Sequence, residues 1–310
     1  MLYRVGVDLG GTKIAVGLVN EQHKMIAHTS IPTNANRKFL PVIMDICDAI
    51  DSIFEKVGIA TDDCVMIGVG APGTCDVKKG IVVRSYSLSW ENVPLCDILA
   101  KRFQTTIRLD NDANCAALAE VKVGAATAYK NIVLVTLGTG IGTGIVINGV
   151  IYTGLNGSGT EMGHMMMVLN GELCSCGRRG CWDAYASVTA LIVQAKQAAA
   201  QRPESLLNSF QQLTGKNIFE AADLGDVTAK ATVHQYCNYI AVGISDVVNI
   251  LAPDMILIGG GISSQGDKIL EPVRKYIGEN CFDKRIEALP SLQVASLGND
   301  AGIIGAAALT

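Results

Sequence analysis

Val5-Gly6-Val7-Asp8-Leu9-Gly10-Gly11-Thr12-Lys13 reads as a buried strand that carries a carboxylate near its end and opens into a glycine–threonine turn. A second strand, Ile14–Val19, follows at once. The pattern returns at Ile132-Val133-Leu134-Val135-Thr136-Leu137-Gly138-Thr139-Gly140-Ile141-Gly142, again with a strand behind it, Gly144–Ile147. Two ordinary β-hairpins would also give strand, glycine turn, strand. A hairpin, however, has no need of Gly-x-Gly-x-Gly with threonines, nor of Asp8 at the end of a buried strand. The repetition predicts a duplicated domain whose equivalent loops face each other.

Neither turn is a Walker loop. No Gly-x-x-x-x-Gly-Lys-[Ser/Thr] occurs, and Gly138–Gly142 does not open a βαβ dinucleotide unit. Tight glycine turns instead expose successive N–H groups as an anion-binding concavity. Gly10, Gly11, Thr12 and Lys13 in one turn, and Gly138, Thr139, Gly140 and Gly142 in the other, are therefore candidate phosphate clamps. Asp8 is the candidate holder of Mg²⁺, through water, because magnesium keeps much of its hydration shell. Near the C-terminus, Ile256-Leu257-Ile258-Gly259-Gly260-Gly261 ends a further strand where a flat ring or a ribose can approach the backbone.

Other strand-like runs lie at Val65–Gly70, Thr106–Leu109, Met255–Ile258 and Gln293–Ala295. Helical stretches at 40–57, 113–123, 183–200 and 228–251 alternate with them, which indicates α/β layers. The expected division is a small N-terminal α/β domain over 1–112, completed by a C-terminal helix at 299–310, and a larger α/β domain over 113–298. At 310 residues the chain has the length for two domains.

Ten cysteines stand beside only four histidines. Cys47, Cys64, Cys75, Cys96, Cys115, Cys237 and Cys281 are scattered and read as small buried hydrophobes. Cys174-Ser175-Cys176-Gly177-Arg178-Arg179-Gly180-Cys181 is different: short, glycine-rich and too polar for a core. With His164 upstream it offers one imidazole and three thiolates, a set that suits tetrahedral Zn²⁺ and leaves no open position for water. That metal would be a structural staple. The alternatives are a redox-active thiol pair, which would normally present Cys-x-x-Cys at a helix start, and a chance cluster. A zinc staple would also hold Glu161 and Asp183 close together without using either as a ligand.

Leu109-Asp110-Asn111-Asp112-Ala113-Asn114 sits where a strand gives way to a helix. One of the two aspartates is expected to be a helix cap. Asp112 is the candidate base, because a carboxylate near a helix N-terminus is stabilised as the anion. Asn111, Glu161, His164 and Asp183 can supply hydrogen bonds around it, a ring that suits a neutral polyol better than an anion. Gly68-Val69-Gly70-Ala71-Pro72-Gly73 is another expected wall of that pocket, with Gly70 foremost.

The formal charge of −4 and the lack of a basic run argue against nucleic acid as a partner. Apolar runs are cut well short of a membrane span. Because Met1–Asp8 reads directly as a strand, no signal peptide or DNA-binding module is expected ahead of the fold. Abundant thiols without a secretion signal point to a reducing cytoplasm.

Taken in order, the segments at 8–12, 70–73, 110–114, 137–142, 161–164, 174–187 and 258–261 resemble those of the ROK family of sugar kinases. Within it the chain is most like the Gram-positive and clostridial type of glucokinase. The resemblance implies a duplicated actin/hexokinase-like (ribonuclease H-like) ATPase fold, with two domains, a cleft between them and a structural zinc loop. It implies that ATP, with Mg²⁺, phosphorylates a hexose, most naturally glucose at its 6-hydroxyl, in cytoplasmic sugar metabolism. Asp112 matches the family's base; Asn111, Glu161 and His164 match its sugar contacts; a homodimer is the usual assembly. Asp183 stands where most members carry Glu, and Thr143 where many carry Gly. Kinases for N-acetylmannosamine, fructose, mannose or allose, a polyphosphate donor, and a sugar-responsive regulator without catalysis are the competing readings.

Overall fold

The first seven-residue strand, β1 (Tyr3–Leu9), pairs antiparallel with β2 (Lys13–Val19), which pairs antiparallel with β3 (Met25–Pro32). The computed structural model describes residues 2–310, so Met1, expected in the first strand, lies outside the described residues. The helix α1 (Phe39–Val57) buries Val42, Ile43, Ile46, Cys47, Ile50, Ile53 and Phe54. These positions are three and four apart and form one apolar stripe. Gly58 ends it in the left-handed region at φ 74°, where its N–H reaches the Phe54 carbonyl at 2.8 Å.

Next come β4 (Cys64–Ala71), β5 (Thr74–Asp76), β6 (Ile81–Ser85), β7 (Trp90–Val93), α2 (Leu95–Phe103), β8 (Thr106–Asn111) and α3 (Asp112–Val123). They are followed by β9 (Ile132–Leu137), β10 (Ile141–Ile147), β11 (Val150–Ile151), α4 (Asp183–Ala186) and α5 (Val188–Ala200). The chain ends with α6 (Gly215–Asp223), α7 (Val227–Leu251), β12 (Met255–Gly259), α8 (Asp267–Asn280), β13 (Ser291–Val294) and α9 (Ala301–Ala307).

One five-stranded sheet has the order β3-β2-β1-β4-β8 and the other β11-β10-β9-β12-β13. Position for position these are the same arrangement: third, second, first, fourth, fifth. The two glycine turns of the sequence occupy equivalent places, between first and second strands. That repetition excludes a pair of unrelated hairpins. A small β5-β6-β7 sheet is additional.

The chain forms two compact units. One comprises Met1–Ile132, Gly144–Thr160 and Ser296–Thr310; the other comprises Val133–Thr143 and Glu161–Ala295. The first therefore keeps α3, which a boundary at 112 would assign to the second. The reason is packing on α9. Gly6 and Gly68 face α9 so closely that a β-carbon on either would fall on the carbonyl of Ile303 or Ala306, and one on Gly305 would fall on the carbonyl of Cys115 in α3. Buried Glu120, near the end of α3, accepts from the N–H of Leu297 at 2.8 Å and the hydroxyl of Ser296 at 2.9 Å. The returning chain is pinned there.

A continuous helix over 183–200 is not what forms. Ser187 adopts ψ 162° and breaks it into α4 and α5, its hydroxyl capping the Ala190 N–H at 3.1 Å. The strands β3, β5, β6, β7 and β11 and the helices α2, α6 and α8 have no counterpart in the sequence reading. Among the described residues no helix is long and apolar enough to cross a membrane.

Candidate active site and metal centre

In the first unit, the turn after β1 is tied down by its own backbone. The Gly10 N–H donates to the Lys13 carbonyl at 2.9 Å, the Thr33 hydroxyl donates to the Gly10 carbonyl at 2.7 Å, and the Thr33 N–H donates to the Thr12 carbonyl at 3.0 Å. Asp8 lies beneath α9, where a β-carbon on Gly302 would strike its carboxyl. Burial first, and then the charge of Asp112, push the Asp8 carboxyl up to about 6, with Lys13 pulling the other way.

The cap of α3 is Asn111, not either aspartate. Its Oδ1 accepts from the N–H groups of Ala113 at 2.8 Å and Asn114 at 3.2 Å, and its Nδ2 donates to the Gly73 carbonyl at 3.1 Å. Asp110 is buried and braces the turn, accepting from the Asn111 N–H at 2.7 Å and the Asn114 amide at 2.8 Å. Asp112 is thereby left as the first helical residue, its Oδ1 accepting from the Ala113 N–H at 2.8 Å. There it faces the positive end of a three-turn helix. Gly70 packs against this start: a β-carbon would come within 3.4 Å of the Asp112 Cα.

In the second unit, the Gly138 N–H closes on the Gly140 carbonyl at 3.0 Å, while the Gly142 carbonyl accepts from the Thr136 hydroxyl at 3.2 Å. The break at Ser187 explains itself here. It frees the Val188 N–H for the Gly138 carbonyl at 2.9 Å and sets the Thr189 hydroxyl on the Thr139 carbonyl at 2.7 Å. A cavity of about 610 Å³ opens beside this turn, walled by Gly138, Thr139, Thr189, Lys216, Gly261 and Ile262 among others. That volume lies within the range of small-molecule sites. Of the three glycines after β12, Gly261 lines the cavity. Gly259 ends the strand and Gly260 makes the turn at φ 82°, where a β-carbon would fall on the Leu137 carbonyl. Thr189, Lys216 and Gln265 were not predicted as lining residues. The capping box of Thr214 and Asn217, which places Lys216, was the available signal.

His164, Cys174, Cys176 and Cys181 converge, each offering one ligand atom, all within 4.8 Å of one another. The sulfurs of Cys176 and Cys181 are 3.7 Å apart, and the Cys174 sulfur is 3.7 Å from Nδ1 of His164. The sulfur–sulfur edge of a tetrahedral zinc–thiolate site is about 3.8 Å for bonds of about 2.3 Å. The donor set and its spacing fit the ion, and the four-fold convergence counts against a simple redox pair. Nδ1 is the nitrogen turned to the Cys174 sulfur. Arg178 stitches the loop through the His164 carbonyl, and Trp182 anchors it, buried against Gly243, with its indole N–H on the Tyr239 carbonyl at 2.8 Å. Burial pushes the Cys174 thiol up to about 12, so metal loading must displace a proton there.

Of the expected sugar contacts, Glu161 is exposed and His164 half-buried. Thr143 is buried, and its hydroxyl accepts from the Met162 N–H at 3.2 Å, a bond Gly could not make. Asp183 is only 9% exposed, and its Oδ2 accepts from the Ile141 N–H at 2.6 Å.

A family model described as ROK family matches residues 4–310. The chain belongs to the ROK family. It is 36% identical over 306 residues to a glucokinase of Halalkalibacterium halodurans, covering 97% of this chain and 92% of that protein. The crystal structure of a ROK family glucokinase from Streptomyces griseus in complex with glucose and AMPPNP superposes with a TM-score of 0.86 at 33% identity, over 99% of each chain. A ROK family transcriptional regulator, a homologue of the E. coli MLC protein, superposes with a TM-score of 0.89 at 24% identity, over 99% of this chain and 77% of the regulator. The last is a likeness of fold alone.

The folded Asp8 carboxyl sits above the ordinary value of 3.8, so the associated stability is present below pH 3.8 and lost as pH rises through about 6. The shift corresponds to roughly 3 kcal/mol. Asp8→Asn is expected to stabilise the metal-free protein by about 3 kcal/mol at pH 7.5 and by less than about 1 kcal/mol at pH 4, read by urea denaturation of variant and parent. An equal gain at both pH values would remove burial of the charge as the cause.

Proposed function

We propose that this ROK-family chain is an ATP-dependent hexokinase whose acceptor is glucose and whose product is glucose 6-phosphate. The observation that carries the reading is the placement of Asp112. It is the first residue of α3, its carboxylate accepting from the Ala113 N–H at the positive end of the helix, with Asn111 as the cap. Fold alone does not separate kinase from regulator, since a regulator superposes as well as a glucokinase does. The glucokinase relatives, one of them bound to glucose and AMPPNP, support the kinase reading.

In this reading Asp112 orients the 6-hydroxyl and accepts its proton as the γ-phosphoryl group leaves. Phosphoryl transfer depends on alignment and charge stabilisation more than on a strong base, so an ordinary carboxylate suffices. Gly70, Asn111, Glu161 and His164 are the proposed sugar contacts. Gly10–Lys13 and Gly138–Gly142 hold the donor's phosphates, with the base toward Gly261 and Lys216 as a further cation in the lining. Asp8 would hold Mg²⁺, which, bound with ATP, would neutralise phosphate charge. Zn²⁺ at His164, Cys174, Cys176 and Cys181 is structural. The assembly is a homodimer, checked by light scattering.

The test is ADP release from Mg·ATP across glucose, mannose, fructose, allose and N-acetylmannosamine, with polyphosphate as a competing donor. Glucose is expected to give the highest kcat/KM. Another hexose winning would move the acceptor and keep the kinase. Hexose binding without turnover of any sugar would replace the enzyme by a sugar-responsive binding protein.

A further inference from the structure

Thr33 is fully buried, although Pro32 and Asn34 on either side of it are exposed. It stands one residue beyond the end of β3, just before Asn34 enters the left-handed region at φ 49°. Both of its donors are spent on the glycine turn after β1. The hydroxyl donates to the Gly10 carbonyl at 2.7 Å, and the N–H donates to the Thr12 carbonyl at 3.0 Å. The Thr33 carbonyl accepts in turn from the Arg37 guanidinium at 3.0 Å, and Arg37 pairs with Asp45 in α1. The residue that grips the turn is therefore itself held from behind.

We propose that Thr33 is a positioning residue for the phosphoryl donor: its hydroxyl locks the Gly10–Gly11 peptide so that a phosphate meets the Gly11 N–H and not the Gly10 carbonyl. This rests on reading Gly10–Lys13 as a phosphate clamp of the kinase proposed above. A planar trans peptide points its carbonyl and its N–H in opposite directions. With the Gly10 carbonyl on the Thr33 hydroxyl, the Gly11 N–H faces away from Thr33. Glycine stands on both sides of this peptide, so its rotation meets little steric resistance within the turn.

Rotation would matter because an anion is attracted by the N–H groups of a turn and repelled by its carbonyl oxygens. A reversed Gly10–Gly11 peptide exchanges one for the other. The neighbouring peptides are held by backbone alone: the Lys13 carbonyl accepts from the Gly10 N–H at 2.9 Å, and the Thr12 carbonyl from the Thr33 N–H. The Gly10 carbonyl is the one held by a side chain, which makes the hydroxyl of Thr33 separable from the rest of the turn by substitution.

The experiment is calorimetric titration of Mg·AMPPNP and, separately, of glucose into parent, Thr33→Val and Thr33→Ser, with steady-state KM for ATP measured in each. Valine nearly keeps the shape and retains the backbone N–H while deleting the hydroxyl; serine keeps the hydroxyl. Thr33→Val is expected to bind AMPPNP about fivefold more weakly, with KM for ATP raised in step and glucose affinity held to within about twofold. Thr33→Ser is expected to stay within about twofold of the parent for both ligands. The Gly11 amide proton of the parent should move downfield when Mg·AMPPNP is added. Unchanged AMPPNP affinity in Thr33→Val would overturn the proposal. So would an equal loss of glucose affinity, which marks a general loosening of the unit, or a serine variant as weak as the valine one. Should Thr33→Val fail to fold, the Gly11 amide of the parent decides: no shift with Mg·AMPPNP overturns the proposal, and a downfield shift sustains it. If the parent neither binds AMPPNP nor phosphorylates any hexose, the kinase reading falls and this one with it; if it does both, only the role of Thr33 is in question.

Discussion

Asp112→Ala is expected to lower kcat by about 10³-fold, within the range for removal of a general base, while KM for glucose and the affinity for nucleotide change by no more than about threefold. The reasoning starts from what the substitution leaves in place. Asn111 caps α3 and Asp110 braces the turn, so the helix start does not depend on the Asp112 carboxylate. Alanine is a good helix former at that position. The fold, the His/Cys cluster and the other proposed ligand contacts are expected to survive, and only the group proposed to align and deprotonate the hydroxyl is gone. Asp112→Asn should be nearly as slow, because an amide can orient the hydroxyl but cannot take its proton. The measurement is steady-state ADP release together with separate binding titrations. A variant that keeps more than about a tenth of parental kcat would exclude Asp112 as the base.

The second large effect concerns the metal centre. Cys176→Ala is expected to abolish stoichiometric zinc and to lower the unfolding midpoint by about 10 °C, the displacement that a loss of a few kcal/mol produces in a unit of this size. The loss is less than in a zinc finger, because this loop has other anchors. Trp182 is buried on α7, and backbone bonds such as Cys174 N–H to the Arg178 carbonyl at 2.8 Å cross-link the hairpin. What an ion would add is the closure of His164 onto the three thiolates. Without it, burial keeps the Cys174 thiol protonated. Chelation of the parent should reproduce the thermal shift, and added Zn²⁺ should reverse it in the parent but not in the variant. Calorimetry with metal analysis reads both, and an unchanged midpoint in zinc-free protein would show that the cluster is not a structural metal site.

The two effects test different kinds of legibility. The cluster able to hold a metal could be read directly, since a donor set of His and three Cys within a short glycine-rich segment is informative wherever the segment lies. The two glycine turns were likewise legible as turns between the first and second strands of each sheet, because close backbone approach restricts residue type locally. The aspartates at 110 and 112 were not separable in that way. Both stand at a strand-to-helix junction, and which one is a brace and which one heads the helix depends on Asn111 and on the Gly73 carbonyl far along the chain. The helix expected over 183–200 failed for the same reason. Its composition is helical throughout, yet the chain breaks at Ser187 so that Val188 can meet the carbonyl of Gly138.

Sequence by itself determined the α/β class, the duplicated strand–turn–strand plan and the His/Cys cluster able to hold a metal. These follow from periodicity, spacing and donor type, which act over a few residues. Tertiary structure alone decided the division of the units, the cap of α3, the lining contributed by Thr189 and Lys216, and the turning of Asp183 onto Ile141. Each of those depends on hydrogen bonds or close packing between residues distant in the chain, and no local pattern encodes which distant amide a buried carboxylate will reach.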